Sequence, residues 1–158
     1  MNVNLLSLLQ KYQNKGLLVD TGVALLYVVG SFDPKLIRAS KRTAMFSEDD
    51  FAKVSKFIDF FPAKITTPNV LTEISNLLPT RPDFIPHFGA FAVNATEEYL
   101  TSSSLLKSVA FSTFGLADSS VFETARGRYL ILTDDRRLVG FLANRGVDVV
   151  NMDAIRTI

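Results

Sequence analysis

Four acidic residues, Asp20, Glu73, Asp118 and Asp135, have the types and positions to do chemistry together. Asp20 ends the apolar run Gly16-Leu17-Leu18-Val19, and Asp135 follows Tyr129-Leu130-Ile131-Leu132-Thr133-Asp134. Asp118 stands at the start of a predicted helix, and Glu73 lies inside another. Short apolar runs of this kind read as buried strands of a parallel sheet, whose carboxyl ends open onto a ligand crevice. Carboxylates delivered there from separate segments repel one another unless a hard cation neutralises them. The pattern therefore predicts one or two Mg²⁺ or Mn²⁺ ions held by oxygen ligands at this edge of the sheet. Ions so held activate water and relieve charge on a leaving oxygen, which is what phosphodiester hydrolysis requires. All-oxygen ligation suits a chain with no cysteine and one histidine.

Each acid also has a plainer role. Asp20 and Asp118 read equally well as helix N-caps, and Asp134-Asp135 as a strand-end turn. Glu73 lies at the margin of the helical stripe formed by Val70, Ile74, Leu77 and Leu78, where a carboxylate is partly withdrawn from water. The joint pattern is what favours a site: each acid falls at one edge of the inferred sheet or on a helix that could cover it. Thr21, Ser119 and Thr133, each beside a site acid, are secondary candidates for orienting a carboxylate or a bound water, with helix capping as their simpler use. Arg136, Arg137 and Arg126 are the candidate substrate-binding cations, and Lys35, Arg38, Lys41 and Arg42 form a second basic stretch. His87 reads as a loop histidine outside the chemistry, and Phe84, Phe88 and Phe91 as core or partner-facing.

The elements needed to position these residues follow from periodicity and punctuation. Leu5, Leu6, Leu9 and Tyr12 predict an N-terminal helix over 3–15, stopped by Gly16. A strand at 17–19 leads through Asp20-Thr21 into a buried helix closing near Gly30. Ser47-Glu48-Asp49-Asp50 starts a helix that Pro62 stops. A very short strand at 65–66 precedes a helix over 68–78, announced by Thr67-Pro68. Pro79, Pro82 and Pro86 predict a loop as far as Gly89, and Thr96-Glu97-Glu98 a helix running to about Phe114, broken at Gly115. A short helix over 118–126, a strand over 129–133, a helix over 136–144 and a strand over 147–150 complete the order. Alternating elements of this kind predict a single α/β domain, a three-layer α/β/α sandwich around a mostly parallel sheet.

The bulk numbers narrow the setting. A chain of 158 residues with 47% apolar and 21% charged residues has room for one substantial core and no disordered signature. A net charge of +1 excludes a polycation, so any nucleic-acid contact must come from a local patch. Without cysteine there are no disulfides, thiolate zinc sites or thiol nucleophiles. Neither a signal peptide nor a membrane span is read, and the expectation is a soluble, cytoplasmic protein with no membrane association.

Three segments resemble the conserved blocks of PIN-domain ribonucleases: Leu-Val-Asp-Thr-Gly-Val (18–23), Thr-Pro-Asn-Val-Leu-Thr-Glu-Ile (67–74) and Leu-Ala-Asp-Ser-Ser-Val-Phe-Glu-Thr-Ala (116–125). Leu-Thr-Asp-Asp (132–135) and Gly-Val-Asp-Val-Val-Asn (146–151) look like that family's last two strands, so the resemblance spans about residues 16–155. It implies that Asp20 matches the first metal ligand, Glu73 the acid on the covering helix and Asp118 the third acid. Reading Thr133-Asp134-Asp135 as the family's Thr-x-Asp makes Asp135 the fourth, with Asp134 the alternative. The resemblance further implies a metal-dependent endoribonuclease of the VapC-like toxin type, with RNA as substrate, an antitoxin protein that blocks the site, and a homodimer. Competing expectations are a catalytically silent scaffold on the same fold, and a nuclease of RNA processing or defence. A haloacid-dehalogenase-type phosphatase needs Asp-x-Asp-x-Thr after the first strand, which Asp20-Thr21-Gly22-Val23 does not supply.

Overall fold

A computed structural model describes residues 3–157 of the chain, apart from the side chain of Val3. Five parallel strands form one sheet: β1 (Leu17–Val19), β2 (Lys64–Thr66), β3 (Thr96–Glu97), β4 (Leu130–Thr133) and β5 (Val149–Asn151). Their spatial order is β3-β2-β1-β4-β5. The central pair is in register at Leu18↔Ile131 and Val19↔Leu132, and β1 meets β2 at Leu18↔Ile65. Leu17, Leu18, Val19, Leu130, Ile131 and Leu132 are all fully buried, as continuous apolar runs covered on both faces must be.

The chain steps from β1 outward to β2 and β3, then returns across β1 to β4 and β5. Right-handed crossovers put the connections of these two halves on opposite faces, which makes the three-layer α/β/α sandwich. The helices are α1 (Val3–Tyr12), α2 (Thr21–Phe32), α3 (Glu48–Asp59), α4 (Pro68–Leu77), α5 (Phe84–Asn94), α6 (Ser102–Leu105), α7 (Phe111–Ala125), α8 (Arg136–Ala143) and α9 (Met152–Arg156). Helix α2 packs against α3, α4 and α5, while α7 and α8 pack on β4. The predicted starts are physically made. Ser47 and Asp50 form a reciprocal capping box at α3, and Thr67 Oγ1 accepts from the Val70 amide at α4, with Pro68 at its first position.

Two stretches differ from expectation. Residues 84–94 are helical, because Phe84, Phe88 and Phe91 recur at helical spacing and turn onto α2. Phe84 and Phe91 are buried, with Phe84 4.9 Å from Phe32 and Phe91 6.1 Å from Tyr27 between ring centroids. Pro86 does not prevent this, because an N–H in the first helical turn has no intrahelical partner to lose. The expected helix over 96–114 is absent. Thr96 and Glu97 pair with Ile65 and Thr66 as an edge strand, so an available sheet partner overrides a local capping signal. The rest of that stretch holds the short α6 and the first turn of α7.

Candidate metal centre and its adjoining cleft

The order β3-β2-β1-β4-β5 reverses at β1, so the crevice of the sheet opens beyond the carboxyl ends of β1 and β4. Asp20 follows β1 there and Asp134-Asp135 follow β4. Asp20 is 5% exposed and held on both oxygens. Its Oδ1 accepts from the Thr21 amide at 2.7 Å, as the N-cap of α2, and its Oδ2 accepts from Thr133 Oγ1 at 2.6 Å. Burial nevertheless pushes its carboxyl up to about 6, opposed by those two hydrogen bonds and assisted by the charges of Asp134 and Glu73.

Asp118 is delivered by a bend. Gly115 interrupts α7 at φ 83°, ψ −171°, and helix resumes at once, so that Asp118 lies in the first turn of the new segment. Ser119 Oγ donates to the Gly115 carbonyl at 2.6 Å and closes this bend. Among the described residues the Asp118 carboxylate has no hydrogen bond. Burial first, and then the charges of Asp20, Glu73 and Asp135, push its carboxyl up to about 7.

Glu73 is an exposed residue, more so than its place at the stripe margin suggests, but its carboxylate turns inward. Oε2 accepts from Thr21 Oγ1 at 3.0 Å, which ties α4 to the first turn of α2. The two aspartates after β4 go to different places. Asp135 Oδ1 caps α8 by accepting from the Arg137 and Leu138 amides, at 2.7 and 3.2 Å, and its charge acts on Asp118. Asp134 lies over Gly22 in the first turn of α2: a Cβ added at Gly22 would stand 2.3 Å from Asp134 Oδ1. Its charge acts on Asp20, and burial raises its own carboxyl.

Four acids from four segments therefore share one electrostatic neighbourhood. Their donors are all carboxylate oxygens, the chemistry suited to a hard divalent cation, and the raised Asp20 and Asp118 carboxyls mark negative charge that no cation among the described residues offsets. Among the described residues no three such side chains stand in geometry ready to hold an ion.

The secondary candidates separate. Thr133 orients Asp20 and also accepts from the Asp135 amide at 3.0 Å, so one buried hydroxyl links two acids. Thr21 links Asp20 to Glu73. Ser119 is turned away into the bend and touches no acid. Of the arginines, Arg136 is spent on Asp153 at 2.8 Å. Arg126 pairs with Glu123 and lies at the far end of α7, eight residues and about 12 Å along the axis from Asp118. Arg137 is the one of the three without a carboxylate partner among the described residues, its guanidinium 5.7 Å from the Phe114 ring centre.

One wall of the site had no signal in the sequence. A cleft of about 330 Å³, within the size range of small-ligand clefts, adjoins the acids and shares Glu73 with them. Helix α4 contributes Asn69, Thr72, Glu73 and Asn76 from one stripe, and Tyr99 and Ser102 line the same cleft. Leu116 and Ala117, directly before Asp118, also line it. Asn69, Glu73 and Asn76 are spaced i, i+4, i+7, but finding the cleft needs Tyr99 from a loop whose path the sequence does not indicate. Compared with family models and with curated proteins, the chain matches none.

Proposed function

We propose that the chain is a Mg²⁺- or Mn²⁺-dependent endoribonuclease that hydrolyses phosphodiester bonds of RNA. The observation that carries this reading is Asp118, a partly buried carboxylate with no hydrogen bond among the described residues, raised by burial and by Asp20, Glu73 and Asp135 at the reversal point of a parallel sheet. A chain gains no stability from such a group; a bound cation would make use of it.

In this reading Asp20, Glu73, Asp118 and Asp135 hold the metal, with Asp134 the alternative to Asp135. When bound, the metal supplies an activated water and relief of charge on the leaving oxygen. The protein's own part is positioning. Thr133 and the Thr21 amide fix the Asp20 carboxylate, and the Thr21 hydroxyl fixes Glu73. The Gly115 bend aims Asp118. Of Arg126, Arg136 and Arg137, Arg137 is the one without a carboxylate partner among the described residues, and it would meet a phosphate. The resemblance to PIN-domain ribonucleases extends the proposal to a toxin of a toxin–antitoxin pair, with an antitoxin partner and a homodimer. A neighbouring short gene for a DNA-binding protein would support that extension.

The test is Asp118→Asn. Metal-dependent cleavage of a single-stranded RNA is expected to fall at least tenfold, about 1.4 kcal/mol of transition-state stabilisation. The circular dichroism spectrum should not change. Cleavage at the wild-type rate, with contaminating nuclease excluded, would reject the assignment.

A further inference from the structure

We propose that the cleft beside the acids seats one unpaired nucleobase of a single strand, stacked on Tyr99 with its edge toward the side-chain amides of Asn69 and Asn76. The inference rests on the nuclease reading for the class of polymer, and on the cleft itself for the rest.

Tyr99 is 73% exposed and, among the described residues, stacks on no other ring, meets no cation and makes no side-chain hydrogen bond. An aromatic face left free beside a cleft is the platform on which single-stranded nucleic acids stack their bases. In the same cleft, Asn69 and Asn76 lie on the stripe of α4 that carries Glu73, and neither amide has a hydrogen-bond partner among the described residues. Thr72, on the same stripe, is different: its hydroxyl already donates to the Pro68 carbonyl.

The chemistry of the wall selects the occupant. No lysine or arginine lines the cleft, and Glu73 adds negative charge, so a phosphate or another anion would be repelled. A base is flat and uncharged, and presents donors and acceptors along one edge. An asparagine amide offers one donor and one acceptor, the pair that matches the adjacent amino group and ring nitrogen of adenine. Unpaired bases are read in this way in single-stranded RNA, stacked on an aromatic ring and bonded along an edge. The position fits the chemistry next door: Glu73 belongs to both spaces, and Ala117 precedes Asp118. The seated base therefore neighbours the phosphate to be cut.

The experiment measures anisotropy of a short fluorescein-labelled single-stranded RNA binding the full chain, carrying Asp118→Asn to slow cleavage below the time of the measurement, in Mn²⁺. Tyr99→Ala is expected to weaken binding roughly tenfold, and Tyr99→Phe, which keeps the ring, to stay within about twofold of the parent. Strands with one abasic position, scanned along the sequence, carry the decisive comparison. At one position the missing base weakens binding to the parent and makes Tyr99→Ala silent. The same strand as DNA identifies whether the seat also accepts a deoxyribose backbone. Parent-like binding by Tyr99→Ala, an equal loss against every abasic strand, or no binding of any single strand would each overturn the proposal. The outcome is separable from the nuclease reading. Base-dependent binding by a wild-type chain that cuts nothing keeps the seat and removes the nuclease. Metal-dependent cleavage indifferent to Tyr99 does the reverse.

Discussion

Thr133 shows how much one buried hydroxyl can hold. Its Oγ1 donates to Asp20 Oδ2 and accepts from the Asp135 amide, with the residue itself fully buried. Removing it leaves a buried carboxylate oxygen and a backbone amide short of partners, a cost of about 1–3 kcal/mol. Thr133→Val is therefore expected to lower the melting temperature and weaken Mn²⁺ binding, since it also removes a hydrogen bond that opposes the upward shift of the Asp20 carboxyl. Thr133→Ser keeps the hydroxyl and should retain most of both. Thermal unfolding and Mn²⁺ calorimetry on the pair check this, and equal behaviour of Val and Ser would show that the hydroxyl does not matter. The four acids were legible as residues because they follow apolar runs or capping signals. The Thr21–Glu73 bond was not, because it joins positions 52 residues apart.

At the scale of elements, the Gly115 bend decides where Asp118 points. The conformation at φ 83°, ψ −171° is one that side chains disfavour, although the space around a Cβ there is open. Gly115→Ala therefore tests conformation without a steric clash. It is expected to cost about 1–3 kcal/mol and, by straightening α7 or shifting its second segment, to reduce metal-dependent cleavage beyond what lost stability explains. Activity measured well below the melting temperature separates the two effects. Unchanged stability and activity would mean that the bend is dispensable. Strong local grammar predicted its elements well: the capping box of α3, the Thr67-Pro68 start of α4 and the apolar runs of β1 and β4. It failed where a tertiary partner outweighed it. The phenylalanines of α5 found α2, and Thr96-Glu97 found the edge of β2.

Across the whole molecule, the raised carboxyls of the acid cluster predict a pH dependence for the metal-free protein. Asp20 at about 6 and Asp118 at about 7 lie above the ordinary value of 3.8, so their folded forms bind protons more tightly than the unfolded chain. The stability linked to them is fully present below about pH 4 and is lost as pH rises through about 6 and 7. Asp50, paired with Arg156, and Asp148, paired with Lys11, are shifted downward, so their contribution is lost in the opposite direction, as pH falls below about 4. In a chelator the melting temperature is expected to peak near about pH 5 and to decline toward about pH 8. Asp118→Asn should flatten the upper part of that decline, and Mn²⁺ should reverse it by binding the ionised acids. A melting temperature that climbs steadily to about pH 8 in chelator, or an Asp118→Asn profile identical to wild type, would show that these carboxyls are not crowded in solution.

No helix among the described residues is long and apolar enough to cross a membrane, as the hydropathy pattern indicated. The sequence by itself determined the class of fold and the order of its central elements. It also marked the acids, because strands buried on both faces, capped helices and strand-end carboxylates leave local patterns that need no partner to be read. Only the tertiary structure decided which chain segments face one another. It put Asp134 over Gly22 and Asp135 on the α8 cap, spent Arg136 on Asp153 and left Arg137 without a carboxylate partner among the described residues. It also brought Tyr99 into one cleft with Asn69 and Asn76. Those outcomes depend on packing between residues far apart in the chain, where a one-dimensional pattern carries no distance.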